Sequence, residues 1–326
     1  MKKPLLLLTI ALMAGAAAQA QQTDTAKAIV KYKFSHIRDT LNKDKPYTEN
    51  MILFLGQTAS AYKSYDKKLQ DAMVKKQIAD QIAANANGAG GPMNINVKRN
   101  GGATTQGEIY QFPLENKMIR KESLMITKYR IEEPMPLIKW KISADTMSFG
   151  TLHCQKATGH FKGRDYTAWF CPDLPFHAGP WKLSGLPGLI VEAYDTNKEV
   201  EFKFDGMEAV VKSDKPAQAA APSPATGMGM TVVKLGGMDD DNADPNIIAI
   251  PADAVKTTPK QYDDLRAAML KDPQAFMNSM MAGSNMGGGM NMGGGRVVTT
   301  GTPIMRVNTN GSGPVINNPL ELPEKK

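Results

Sequence analysis

Reactive side chains crowd into one stretch, "HCQKATGHFKGRDYTAWFCPDLPFHAGPWKLSGLPGLIVEAYD", from His153 to Asp195. It holds both cysteines of the chain, three of its four histidines and two of its three tryptophans. Thiols and imidazoles in one place could form a disulfide, hold a metal or exchange electrons. Spacing narrows the choice. If Lys162-Gly163 is a two-residue hairpin turn, opposed residues have numbers that sum to 325, and Cys154 faces Cys171. Counting outward from Phe161–Arg164, that pair is a non-hydrogen-bonded one, with Cα atoms about 4.5 Å apart. This is within disulfide range. A structural disulfide between Cys154 and Cys171 is therefore expected, worth about 3 kcal/mol. Redox or metal-binding thiols are the alternative, but the pair lacks the close CxxC spacing that favours them. The same register sets Thr158 against Thr167 and Gly159 against Tyr166, whose ring would cover the bare glycine.

The histidines imply less. His153 and His160 fall on opposite faces of one strand, whereas His153, His177 and Asp173 could approach one another beyond the hairpin. A zinc or copper site would need that geometry and a further ligand. No nucleophile elbow is present, because Lys182 stands where GxSxG needs its first glycine. "DDDNAD" from Asp239 to Asp244 lacks the glycine and closing glutamate of a calcium loop. No catalytic residue and no cofactor are assigned. Thioethers form a separate cluster: Met277, Met280, Met281, Met286, Met290 and Met292 lie within sixteen residues, with Met228, Met230 and Met238 as a lesser group. Such residues suit Cu(I), or an adaptable contact surface, or mere compositional drift.

The elements that must position these groups read as mainly β. Ala28 to Arg38 alternates, with Val30, Tyr32 and Phe34 on one face. Asn50 to Tyr62 reads as a second strand and Lys67 to Ala84 as a helix. Short strands follow at 108–113, 117–127, 129–133, 137–142, 151–158, 165–171, 189–194 and 199–204. Strands without intervening helices predict a curved antiparallel β-meander with a packed helix, an α+β arrangement, rather than a parallel sheet. "AANANGAGGPMNINVKRNGGATTQG", Ala83 to Gly107, marks an expected flexible insertion over 84–107, and 214–256 is expected to be a linker. Thr258-Pro259-Lys260-Gln261 is a capping box with proline at the first helical position. It opens helices over 257–283 that are expected to dock on the domain, with a second start at Asp272-Pro273. Residues 284–326, rich in Gly, Asn and Met, are expected to be a disordered tail.

The first twenty residues carry Lys2-Lys3, the apolar run Leu5–Met13 and the small-x-small site Ala18-Gln19-Ala20. This is a signal-peptide pattern, with the run too short to span a bilayer. Two lysines leave with it, taking the formal charge from +7 to +5. Positive residues are scattered, which argues a solvated basic surface rather than nucleic-acid binding. No later stretch is apolar and long enough for a membrane span.

The residues Gly179 to Asp195 contain Gly185-Leu186-Pro187-Gly188-Leu189-Ile190 intact. With the upstream CxxA strand and R-x-Y-x-AW strand, they resemble the GLPGLI family of exported bacterial envelope proteins over about 45 residues. That resemblance implies a β-rich layout for residues 21–213 and no particular reaction. Pro187-Gly188 suits the centre of a type II turn, with Gly188 at positive φ. Trp169, Trp181, Leu183, Leu186, Pro187 and Gly188 are the candidate corner: either core, or a wall of an apolar groove or docking site. The expected function is a non-enzymatic ligand carrier or accessory factor of outer-membrane systems, in the periplasm or at the outer membrane. Its partners would be transport or assembly proteins, or an apolar ligand. Copper handling through the Met-rich tail is the alternative.

Overall fold

Alternating side chains in the first long strand bury Val30, Tyr32 and Phe34 on one face, and the rest of the chain is built out from there. The computed structural model describes residues 23–86, 97, 102, 104–125, 127–210, 246–276, 279 and 315–324. Chain order runs β1 (Thr23–Thr25), β2 (Ala28–His36), β3 (Tyr47–Leu55), β4 (Ser60–Ser64), α1 (Tyr65–Ala86), β5 (Glu108–Phe112), β6 (Lys117–Leu124) and β7 (Thr127–Pro134). It continues with β8 (Lys141–Phe149), β9 (Leu152–Phe161), β10 (Arg164–Cys171), β11 (Leu189–Asp195) and β12 (Val200–Ala209). Last come β13 (Ile247–Ala249), β14 (Val255–Thr257) and α2 (Pro259–Lys271).

Twelve strands form one open sheet in the order β14-β7-β6-β5-β4-β3-β2-β12-β11-β10-β9-β8, and β1 pairs with β13 apart from it. The protein is mainly β, as its patterning predicts. A single meander is not what forms. Two meanders, β2–β7 and β8–β12, are joined by the non-consecutive pair β12–β2. The edge strand β14 runs parallel to β7, which makes the sheet mixed. A six-residue connector, 135–140, links β7 to β8 on the far edge. Its seven Cα steps reach at most about 25 Å. Ten strand spacings of a flat sheet would need about 47 Å, so a flat sheet is excluded.

The main core accordingly gathers residues of both meanders, from Val30, Leu53 and Met118 to Ala168, Leu189 and Phe202. The other face of β3–β6 is also covered, with Ile52, Phe54, Tyr110 and Ile119 packed under Ala26 and Ile248. This double burial explains the unbroken apolar run of β3, which reads Met51-Ile52-Leu53-Phe54-Leu55. The single strand expected over 50–62 is two strands, β3 and β4, folded at Gly56–Ala59. Asp24 caps that turn, accepting hydrogen bonds from Thr58 N (2.6 Å) and Ala59 N (3.0 Å). A Cβ on Gly56 would lie 2.3 Å from the Asp24 carboxylate. A strand expected at 137–142 is instead mostly the connector, and β8 begins only at Lys141.

The helices divide unevenly. α1 leaves Leu69 and Met73 exposed, and none of its described side chains is buried. It touches β3, with Lys68 Nζ 5.0 Å from the Phe54 ring centre, but it brings no apolar side chain into the core, because no wide apolar stripe forms on it. α2 is docked instead. Its capping box is formed between Thr258 and Gln261. Tyr262 meets Tyr129 edge-on at 5.8 Å, beside Leu124, Ile131 and Phe276. Within the expected linker, residues 247–249 and 255–257 are strands that pair with β1 and β7. The signal segment, linker residues 214–245 and all of the clustered methionines lie outside the described residues.

Candidate functional site

The β9–β10 hairpin turns at Lys162 (φ 51°) and Gly163 (φ 71°), the left-handed pair that a two-residue type I′ turn requires. Its register is the expected one, from Phe161–Arg164 through Gly159–Tyr166 to Gln155–Phe170. It is Trp140 that covers Gly159, however: a Cβ there would lie 2.8 Å from the indole. The disulfide must also be corrected. Cys154 and Cys171 are free, buried thiols, close enough to hydrogen-bond and not at bonding distance. Pairing stops one rung short of them. β10 bulges against β11 between Trp169 and Phe170, and Cys171 pairs with Leu189 of β11 while the β9–β10 pairing ends at Gln155–Phe170. Burial, then the neighbouring Cys171, push the Cys154 thiol up to about 12. A thiol so disfavoured as thiolate is a poor nucleophile and metal ligand at neutral pH.

The corner that follows is packed. Trp169, Trp181, Leu183, Leu186 and Gly188 are buried, and Pro187 is exposed. The Trp181 ring stacks on Phe202 at 6.4 Å and meets Phe161 edge-on at 5.6 Å. Trp181 holds a left-handed φ of 54°, where its carbonyl accepts a hydrogen bond from Gln111 Nε2 at 3.2 Å. Trp140 Nε1 donates to the Ser184 carbonyl at 2.8 Å, pinning the corner to the β7–β8 connector. The expected positive φ belongs to Gly185 (φ 92°), not to Gly188, so Pro187-Gly188 is not the centre of a type II turn. Gly188 is needed for close approach instead. A Cβ would stand 2.4 Å from the Cys171 carbonyl oxygen.

Beside this corner lies a polar groove centred on Arg164, the first residue of β10. Its side chain is 3% exposed. One arm donates to Asp195 Oδ2 at 2.6 Å, with Glu199 at 3.5 Å, and these carboxylates flank the β11–β12 turn. The other arm donates to Asn318 Oδ1 at 2.6 Å and the Pro319 carbonyl at 2.8 Å, while Nε reaches the Leu320 carbonyl at 3.1 Å. Residues 315–324, expected to be part of a disordered tail, are thus docked. Buried hydrogen-bond partners and an apolar seat for Leu320 in the main core offset the ordering entropy that composition alone does not.

The docked segment is held along its length. Asn318 is buried, and its Nδ2 donates to the Ile37 carbonyl at 2.8 Å and to Glu199 at 3.0 Å. Asn317 and Asn318 both donate their backbone N–H to the Arg38 carbonyl. Lys182, a buried residue of the corner, donates to Glu321 at 2.5 Å, and Lys162 lies 3.3 Å from the same carboxylate. Burial opposes ionisation of Glu321, but Lys182 and Lys162 outweigh it and hold the carboxyl below its usual range. Leu322 N donates to the Lys162 carbonyl, and Gly163 N donates to Glu324. His160 stands between Asp165 (2.6 Å) and Glu324 (2.7 Å), whose hydrogen bonds raise its pKa. His36 meets the Asn318 backbone. Burial, then Arg164 and Arg38, push it down to about 4.

His153 and Asp173 do meet, at 3.8 Å on the surface. Exposed His177 lines a separate pocket of about 150 Å³ between the β3–β4 turn and residues 175–178. Among the described residues no group of three or more His, Cys, Asp or Glu could hold a metal. The groove itself was missed in the sequence. Arg164 stands in the R-x-Y-x-AW pattern, but nothing there pairs it with "NNPLELPE" more than 150 residues away. The one local signal was the change of composition after Asn318, where prolines, leucines and acids replace glycine and asparagine.

A search of curated proteins returned no match. Two solved structures of PNGF-II, in space groups C2 and P21, are similar at 11% identity with TM-scores of 0.44 and 0.43. Each match covers 74% of this chain and 32% of the other, so this chain spans about a third of those proteins. Residues 161–192, from the hairpin turn through the corner into β11, match the profile of a family described as "Protein of unknown function (Porph_ging)".

Proposed function

We propose that this is a non-enzymatic exported protein of the cell envelope, a member of the GLPGLI family that holds a partner or ligand for outer-membrane systems. The observation that carries the reading is the Arg164 groove, a buried cation with an apolar seat and flanking lysines that grips a chain segment by backbone and side chain together. Arginine forks of this kind give orientation and specificity rather than chemistry. The signal-peptide pattern supports export, and the intact GLPGLI hexapeptide supports the family. Native mass spectrometry of protein purified from its own envelope tests the proposal. A bound protein, peptide or apolar ligand is expected. Recovery from the cytosol, or with stoichiometric Cu(I) and nothing else, would count against it. The second outcome would favour the methionine cluster at 277–292 as a copper site.

A further inference from the structure

The segment in the groove is contacted as a separate ligand would be. Its described residues, 315–324, make no ladder with any strand, and residues 280–314 lie between them and the last described helical turn. Recognition combines three features. A buried asparagine uses its amide oxygen on Arg164 and its amide nitrogen on Ile37 and Glu199. A Pro-Leu pair presents two carbonyls to the same guanidinium and a side chain to the core. An acid three residues after the asparagine sits between Lys182 and Lys162. Backbone contacts fix direction, and the side-chain contacts fix sequence.

We propose that the Arg164 groove is a recognition site for an acidic peptide of Asn-Pro-Leu-acid chemistry. The chain's own 315–324 segment is the resident occupant, and a partner bearing such a segment gains the groove by displacing it. This deepens the partner-holding function proposed above by naming the partner's recognition element, and it rests on that reading. A tethered occupant competes at high effective concentration. The wild-type groove therefore admits an outside peptide only weakly, and weakening the tether's own contacts opens it.

The probe is a fluorescent synthetic peptide of residues 315–324, titrated by anisotropy into full-length protein. Asn318→Ala/Leu320→Ala in the chain should raise affinity for the peptide at least about tenfold over wild type. Glu321→Lys, at a partly exposed position, serves as a second tail variant if the first is poorly folded. Adding Lys182→Glu to Asn318→Ala/Leu320→Ala should lower affinity about tenfold or more, and a peptide with Lys in place of Glu321 should restore it. Two results would overturn the proposal: a folded tail variant that does not bind the peptide, or binding indifferent to Lys182→Glu. The purified protein is used throughout, so neither depends on cellular location. A ligand still found on envelope-purified protein after such a failure would leave the general partner-holding reading standing and remove the groove from it.

Discussion

The Gly179–Leu189 corner and the Arg164 groove meet at Lys182, yet they are held by different forces. The corner is apolar and local: Trp181, Leu183, Leu186 and Leu189 come from one short stretch and are buried together against the sheet. The groove is polar and assembled from afar, joining β10, the β11–β12 turn, residues 317–324 and the residues that follow β2 around one guanidinium. Apolar burial is non-directional and tolerates small shifts. A buried charge is stable only while its partners stay in place. The corner is therefore a scaffold, and the groove is where substitutions should be both costly and selective.

The sharpest contrast comes from replacing the centre of each region. Arg164→Met should cost about 3–5 kcal/mol, because it strands Asp195 and Glu199 without their buried cation. It should also free residues 315–324 to limited proteolysis. Trp181→Ala should cost a similar 3–5 kcal/mol through lost packing on Phe202 and Phe161, while the C-terminal segment stays protected. Urea unfolding with proteolytic mapping separates the two. Identical protection patterns would collapse the distinction between scaffold and groove.

A smaller effect is expected at the seam under the corner. Gly188→Ala forces a methyl toward the Cys171 carbonyl and should cost about 1–3 kcal/mol. An unchanged melting temperature there would mean that the β10 end can move aside.

Acid should sharpen the comparison on the groove side. His36 is pushed down to about 4 by burial and by Arg164 and Arg38. The unfolded chain takes up a proton near pH 6.5 that the folded chain refuses until about pH 4. Stability contributed by neutral His36 is thus complete above about pH 6.5 and is lost on the way down, by about 1–3 kcal/mol. His36→Gln should flatten that slope in a pH series of urea unfolding curves, and an unaltered slope would assign it to other groups.

Glu321→Gln should have the smallest effect on stability, about 0.5–1 kcal/mol, since the amide oxygen can still accept from Lys182 and the Glu321 end of the pair is partly exposed and screened by solvent. Its effect on peptide exchange should be much larger than its effect on folding. Equal changes in the two would mean the lysines act only as a structural clasp.

The cysteines show how far sequence arithmetic reaches. Pairing from a Lys-Gly turn fixes every rung of the β9–β10 ladder down to Gln155–Phe170, because a type I′ turn permits one register. The rung that mattered lies one step beyond, where a bulge against a third strand ends the rule. Gly188 is a similar case. A special glycine was legible from Pro187-Gly188, but the reason for it, a carbonyl of another strand 2.4 Å from the missing Cβ, was not.

By itself the sequence determined the β-rich class, the hairpin turn with its register and the capping box of α2. Each follows from periods of two, from turn chemistry or from cap chemistry acting within about ten residues. Only the tertiary structure decided that two meanders join through β12–β2, that α1 buries no described side chain while α2 docks through Tyr262, and that Arg164 meets Asn318. Those outcomes depend on which distant surfaces meet. A buried charge chooses partners by geometry, and linear spacing does not encode that geometry.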